Sequence, residues 1–547
     1  MRKFISFCLI LIFIFTCFNT IVFAEIEPLR WNNNFGGSKD EEFSNIIATS
    51  DGCCIAVGYT TSTDGNLTGV NEHSLTSDSE ALIVKYSSNS VVQWKKTFGG
   101  TNQDYFYSVV ETTDNGFVAI GHSNSIDGDL TGLNKGDYDA IIVKYNSEGN
   151  IQFVKILGGV GEEELHSIKK TPDEGYIAVG YSTSDLLSYD DGDPNELRSD
   201  LLLKDSIIIK FNNDFSLSWI KDFGGTNDDA FTNVLATSDN EYIVIGYSRS
   251  LNKDLTVNLG DKDITVVKYN SSGMLVWRKH YAGSREDIAH KIIEISDGNY
   301  VIVGHSRSTD ATFSGFKNIG DQDGFVLKID NTGTKIWIKS LGGALSDFAY
   351  DAIDFSNKIL VVRHTSSNNG EFENITGKGD EDGFVAEFNY NGTLNFIKKY
   401  GGSEIDKFLG ITKANDNGVI IVGSANSDNG FFKDLNKGLY DAVILKFGGE
   451  IEEIPPDLLE GVLVNVGISE SEVSNYAGFS VKSKSHSAKN LGSMLVIYKD
   501  LLEDVDSTIE NKSLVRMNSI LDNIDNPNSF RLILRKGINK IYVKKKL

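Results

Sequence analysis

Cysteine is almost missing from this chain, and what there is cannot staple it. Of four cysteines, Cys8 and Cys17 sit in an N-terminal apolar stretch, and only the adjacent Cys53 and Cys54 follow. Vicinal thiols are poorly placed for a relaxed disulfide, so packing and hydrogen bonds must hold the fold. Proline is as scarce, at 6 residues, whereas glycine reaches 53. Glycine without a collagen period points to many tight turns between short strands, hence to an all-β protein. Positive charge is in deficit: 52 Lys and Arg against 76 Asp and Glu leave a formal net charge of -24. That balance repels nucleic acid and anionic lipid, and leaves cations, sugars and basic protein surfaces as partners.

Apolar runs long enough to span a bilayer are missing too. Met1 to Ala24 carries Arg2 and Lys3, an apolar run from Phe4 to Phe18, and then Val22-Phe23-Ala24. That is the pattern of an export signal and is shorter than a membrane span. Residues 1–24 are therefore expected to be a signal peptide, with secretion or display on the cell surface as the outcome. A lipid anchor would need a cysteine after the cleavage point, and Phe15 before Cys17 fits such a signal poorly.

What the chain does have is a repeat. An aromatic-or-Leu plus Gly-Gly element begins at Phe35, Phe98, Leu157, Phe223, Tyr281, Leu341 and Tyr400, at spacings of 58 to 66 residues, with Ala282 for one glycine. Four residues before each lies a large aromatic: Trp31, Trp94, Phe153, Trp219, Trp277, Trp337 and Phe396. Six residues after each lies a carboxylate: Glu41, Asp104, Glu163, Asp229, Asp287, Asp347 and Asp406. A second acid opens a later strand at Glu80, Asp139, Asp205, Asp263, Asp323, Asp382 and Asp441, followed five residues on by Lys85, Lys144, Lys210, Lys268, Lys328, Glu387 and Lys446.

The second copy shows the layout. Strands are expected over Tyr105 to Glu111, Phe117 to Gly121, Ala140 to Tyr145 and Ile151 to Leu157, with turns at Asp114-Asn115-Gly116 and Asn146 to Asn150. Four-stranded units that cannot bury their own faces stack radially, so seven of them predict a seven-bladed β-propeller over residues 25–449. The seventh copy lacks a fourth strand after Gly448-Gly449, while Leu29 to Phe35 has a fourth-strand pattern with nothing before it. The N-terminal strand is thus expected to complete the last blade.

Phe98-Gly99-Gly100-Thr101 with Asp104, followed by Asp114-Asn115-Gly116-Phe117-Val118-Ala119-Ile120-Gly121-His122-Ser123-Asn124-Ser125, resembles the bacterial SBBP-type β-propeller repeat. The resemblance covers Leu29 to Gly449. It implies the fold and an extracellular setting, and it specifies no reaction. The sixth unit departs from the pattern, with Asn357-Lys358 for the turn glycine, Arg363 for the strand-end glycine and Glu387 for lysine. That blade is expected to be irregular or specialised.

Residues 450–456, with Pro455-Pro456, read as a linker. A small β-rich domain, a β-sandwich or an α+β module, is expected over 457–547, with strands such as Phe530 to Leu534 and Asn539 to Val543. Its basic end, Arg531 to Lys546, is expected to be a solvated strand edge guarded by lysine.

No G-x-S-x-G elbow and no H-E-x-x-H helix is present, so no catalytic residue is assigned. The repeat acids, falling on one face of the ring, predict negative potential there, and their recurrence marks them as acceptors for N–H groups of the glycine turns. Loop acids Asp190, Asp191, Asp193 and Glu196, and the smaller set Asp127, Asp129 and Asp137, offer oxygen to Ca²⁺ without matching a full calcium loop. His122, His305 and His364 occupy a slot filled elsewhere by Tyr59, Tyr181, Tyr247 and Ser424, so the histidines do not cluster in sequence. The expectation is a monomeric, non-catalytic module binding a glycan, wall polymer or protein outside the cell. The alternative is a propeller glycosidase or polysaccharide lyase with unlike acids in its central channel.

Overall fold

In the computed structural model the described residues are 29–70, 78–184, 203–255, 258–373, 375, 379–449, 530–533 and 542–545. The segment expected to be a signal peptide, the expected linker, most of the expected tail domain and the acids Asp190, Asp191, Asp193 and Glu196 lie outside them.

The strands of residues 29–449 form seven four-stranded antiparallel sheets. Blade 2 is typical: Asp104–Glu111, Phe117–Ser123, Asp139–Tyr145 and Ile151–Leu157 pair in chain order. Burial follows radius. The second and third strands of this blade are buried at every position, so both faces carry apolar side chains; the fourth begins exposed. Two buried faces require a neighbour on each side, and the cores run between blades. Ile55, Val57 and Ile83 of blade 1 pack with Phe106, Val109 and Phe117 of blade 2.

The ring is closed as the strand count anticipates. Leu29–Phe35 pairs antiparallel with Asp441–Gly448, placing Trp31 opposite Lys446 and Phe35 opposite Ala442. Arg30 adds two bonds from its guanidinium, Nε to the Gly448 carbonyl at 2.9 Å and Nη2 to that of Gly449 at 2.6 Å. Trp31 and Phe35 then share a core with Phe43 and Leu82 of blade 1 and Ile420 and Ile444 of blade 7.

Aromatic residues of the fourth strand rivet each blade to the next. Trp94 Nε1 donates to the Ser147 carbonyl at 3.0 Å and Trp337 Nε1 to that of Tyr390 at 3.1 Å. A glycine in that turn, Gly149 at φ 79° or Gly392 at φ 82°, lies against the indole, where a Cβ would come within 2.8 or 3.0 Å of it. Blade 3 solves the same contact differently. Phe215 takes the glycine slot at φ 60° and stacks 4.3 Å from Tyr176, filling space beside Phe153, which is smaller than the usual tryptophan.

Residues 451–547 form a separate unit, of which the described part is one antiparallel pair, Phe530–Ile533 with Tyr542–Lys545.

Because Trp31 is only 8% exposed, Trp31→Ala should cost about 3–5 kcal/mol. Denaturant unfolding checks this, and an unchanged midpoint would mean that the closing strand does not hold the ring.

Candidate functional site

The seven repeat acids are buried. Each accepts the N–H of the second glycine of its own turn: Gly37 to Glu41 at 2.7 Å, Gly100 to Asp104 at 2.9 Å, Gly159 to Glu163 at 2.7 Å, Gly225 to Asp229 at 2.7 Å, Gly283 to Asp287 at 2.8 Å, Gly343 to Asp347 at 2.7 Å and Gly402 to Asp406 at 2.8 Å. Hydroxyls from the end of the second strand complete the shell, such as Ser125 Oγ to Asp104 at 2.9 Å and Ser367 Oγ to Asp347 at 2.7 Å. The acids opening the third strand do the same for the preceding loop, as Ile319 N to Asp323 at 2.8 Å shows.

Burial raises Glu41, Asp104, Asp287, Asp347 and Asp406 against the hydrogen bonds that favour ionisation, to about 7 for Asp104 and Asp287 and about 6 for Asp406. The acceptor role expected from their recurrence is thus what the repeat acids perform, and because the turns they bind enclose them, with Asp104 and Asp287 holding protons close to neutrality, they add less to the negative potential expected on that face. The loop acids Asp127 and Asp129 likewise bond the turn, to Thr101 N at 2.8 Å and Gly99 N at 3.2 Å. Among the described residues no three His, Cys, Asp or Glu side chains form a metal-binding group.

Other residues face the axis. Each first strand touches the first strands of its neighbours, so these strands line a central channel. A belt of unlike polar residues links them: Ser108 Oγ accepts from Ile168 N at 3.3 Å, Asn233 Nδ2 donates to Ser167 Oγ at 3.2 Å, and Lys291 pairs with Asp351 at 2.7 Å.

Above the belt the blades differ most. The second residue of the first strand stands opposite the next-to-last of the second: Glu42 with Tyr59, Tyr105 with His122, Glu164 with Tyr181, Ala230 with Tyr247, Ile288 with His305 and Lys407 with Ser424. These side chains converge into two clusters. In one, Tyr107 lies 5.3 Å from His122 and 5.5 Å from His166, and Tyr59 lies 4.8 Å from Tyr105. In the other, His290 Nε2 and His305 Nδ1 are 2.9 Å apart, with Tyr350, Phe348 and His364 beside them. Histidines that do not cluster in sequence are thus brought into two separate sets, His122 with His166 from blades 2 and 3, and His290, His305 and His364 from blades 5 and 6, neither of them a metal-binding group.

Burial disfavours the charged form of four of these imidazoles, lowering His122 to about 4 and His305 to about 3, with His290 and His364 also well below the ordinary range. The two channel carboxylates diverge. Burial raises Glu42 despite a 3.0 Å bond from Ser424 Oγ and the charges of Arg363 and Lys407. Burial also opposes ionisation of Glu164, but the His166 bond at 3.0 Å, the charge of His166 and the Tyr181 hydroxyl at 2.6 Å outweigh it and hold this acid at about 2. The only sequence signal for these residues was variation within a repeat slot.

Blade 6 is irregular, as its altered motif anticipates. In six blades the first strand spans eight residues with a bulge; in blade 6 it is Asp351–Phe355. Its hairpin turns through Ser356 and Asn357, both at positive φ, and has no acid to receive a lysine. Elsewhere that contact exists, as in Lys144 with Asp114 at 2.6 Å, and here Glu387 replaces the lysine and accepts from Asn395 at 2.8 Å.

The fold and channel define the class: an all-β protein with a seven-bladed propeller. No family model and no curated protein matches the chain. Among solved structures it is similar to Sqt1 from Chaetomium thermophilum, at 12% identity and TM-score 0.37 over 73% of this chain and 82% of that one. It is also similar to a protein of unknown function from Dyadobacter fermentans, at 9% identity and TM-score 0.38 over 78% of this chain and 100% of the other. No helix among the described residues is long and apolar enough to cross a membrane.

The raised acids carry a pH signature. Folded Asp287 keeps its proton to about pH 7, whereas an unfolded aspartate releases it near 3.8. Between those values the folded state binds the extra proton, so this group's contribution to stability falls as pH rises. Asp287→Asn removes that dependence, and its melting temperature relative to the parent should climb between pH 5 and pH 8; a constant gap would contradict the assignment.

Proposed function

We propose that this chain is an exported, non-catalytic binding module of the class the SBBP-type repeat resembles, holding a glycan, wall polymer or protein at the mouth of its axial channel. One observation supports the reading above others. The repeated carboxylates are consumed by hydrogen bonds within their own blades, whereas side chains that differ between blades converge on the axis. Aromatic faces of Tyr105 and Tyr107 suit the apolar faces of sugar rings, and the surrounding imidazoles and acids suit their hydroxyls. A rigid ring keeps these groups in place before the ligand arrives, which lowers the ordering cost of binding.

The opposite shifts of Glu42, raised by burial, and Glu164, held low by His166, favour a second reading, a glycosidase or lyase that uses two unlike acids. A glycan array and a pull-down on cell-wall fractions separate the two. Binding without turnover, weakened at least tenfold in Tyr105→Ala, is the expected result. Hydrolysis of a polysaccharide by the parent and not by Glu164→Gln would replace the binding reading, and silence in both assays would remove it.

A further inference from the structure

Building on that binding site, we propose that Arg363 is its specificity-determining residue and that it receives the carboxylate of an acidic sugar. The starting point is the position it occupies. In the other six blades this slot is Gly58, Gly121, Gly180, Gly246, Gly304 or Gly423. A Cβ there would lie 1.8 to 2.0 Å from the carbonyl oxygen of Glu42, Tyr105, Glu164, Ala230, Ile288 or Lys407. No side chain fits at that distance, so the first strand of blade 6 has moved aside. Only the Phe348 N bond to the His364 carbonyl at 3.4 Å and the Tyr350 N bond to that of Val362 at 3.1 Å survive beside the arginine.

Among the described residues Arg363 has no hydrogen bond or ion pair, and its Nε is buried without a partner. It lies 4.3 Å from the Tyr350 ring centroid and 5.9 Å from that of Phe348. Tyr350 is 36% exposed, so this stack borders open space within the channel. Of the nearby acids, Glu381 forms an ion pair with Lys407 at 3.2 Å, and Glu42 accepts from Ser424 Oγ at 3.0 Å.

A guanidinium is charged at every physiological pH and carries five donors in a planar fork. The buried, unmatched Nε costs free energy that a planar oxyanion would recover through paired N–H···O bonds with Nε and an Nη nitrogen. A carboxylate fits better than a phosphate dianion, whose second charge would lie near Glu42 and Glu381. Lys407 adds positive charge on the side of blade 7. The tyrosines across the channel supply the faces on which the rest of a pyranose ring can stack.

The test is calorimetric titration of the full chain with a galacturonic acid oligomer, its methyl ester, the neutral galactose oligomer and galactose 1-phosphate. Parent protein, Arg363→Gly and Arg363→Lys are compared, with melting temperature read for each. The acidic oligomer is expected to bind at least tenfold more tightly than the ester or the neutral oligomer. Arg363→Gly should lose that preference while melting no lower than the parent, since it restores the residue that lets the strand re-pair. Arg363→Lys should retain only part of the preference, because it keeps the charge without the fork. Equal binding of acid, ester and neutral sugars would overturn the carboxylate assignment and leave the channel reading intact. Preference for the phosphate, full affinity in Arg363→Gly, or no binding of any probe would also overturn it, and the last would count against the channel reading as well.

Discussion

The pairing of Leu29–Phe35 with Asp441–Gly448 is the constraint on which the rest depends. A propeller blade buries both faces of its middle strands against neighbours, so an open ring would expose two complete apolar faces. It would also leave the edge of Asp441–Gly448 without a partner. Backbone bonds, the Arg30 guanidinium and Trp31 close that gap together. Because the strand comes from the opposite end of the described ring, no blade can reach its final packing until both ends meet. That requirement turns seven local sheets into one rigid body and fixes the diameter of the channel at its centre.

The parts read from sequence are those under the same physical demand seven times. A turn that donates an N–H to a buried acid needs glycine, a carboxylate and a hydroxyl at fixed offsets in each blade, and Gly100, Asp104 and Ser125 leave that trace. An indole packed on the next blade's turn leaves another, as Trp94 and Gly149 do. The paired exchange in blade 3, with Phe153 for tryptophan and Phe215 for glycine, obeys the same demand through volume. Blade count, strand order and closure were legible for that reason.

The channel was not legible, and the reason is geometric. Radial symmetry brings together one residue from each of several blades, about 60 positions apart along the chain. His122 and His166 meet around Tyr107 although neither is a sequence neighbour of the other. Periodicity marks the slot, while variation within the slot reads as noise when blades are compared one at a time. The repeat acids, by contrast, were legible as acceptors for the glycine turns, and the hydrogen bonds that make Asp104 and Asp287 recur also bury them.

Blade 6 shows how one departure propagates. Its short turn removes the aspartate that a third-strand lysine needs, and Glu387 occupies the vacated slot. Its arginine removes the glycine that a bulged first strand needs, and that strand shortens to five residues. Either change alone would leave a buried group unmatched, Lys against a missing acid or a carbonyl against a new Cβ. Together they relax the blade and place Phe348, Tyr350 and Arg363 beside His290 and His305. The ring tolerates this because the second and third strands of blade 6, Lys358–Thr365 and Asp382–Asn389, keep full pairing. Irregularity is thereby confined mainly to the innermost strand, which lines the channel and where a ligand on the axis would meet it.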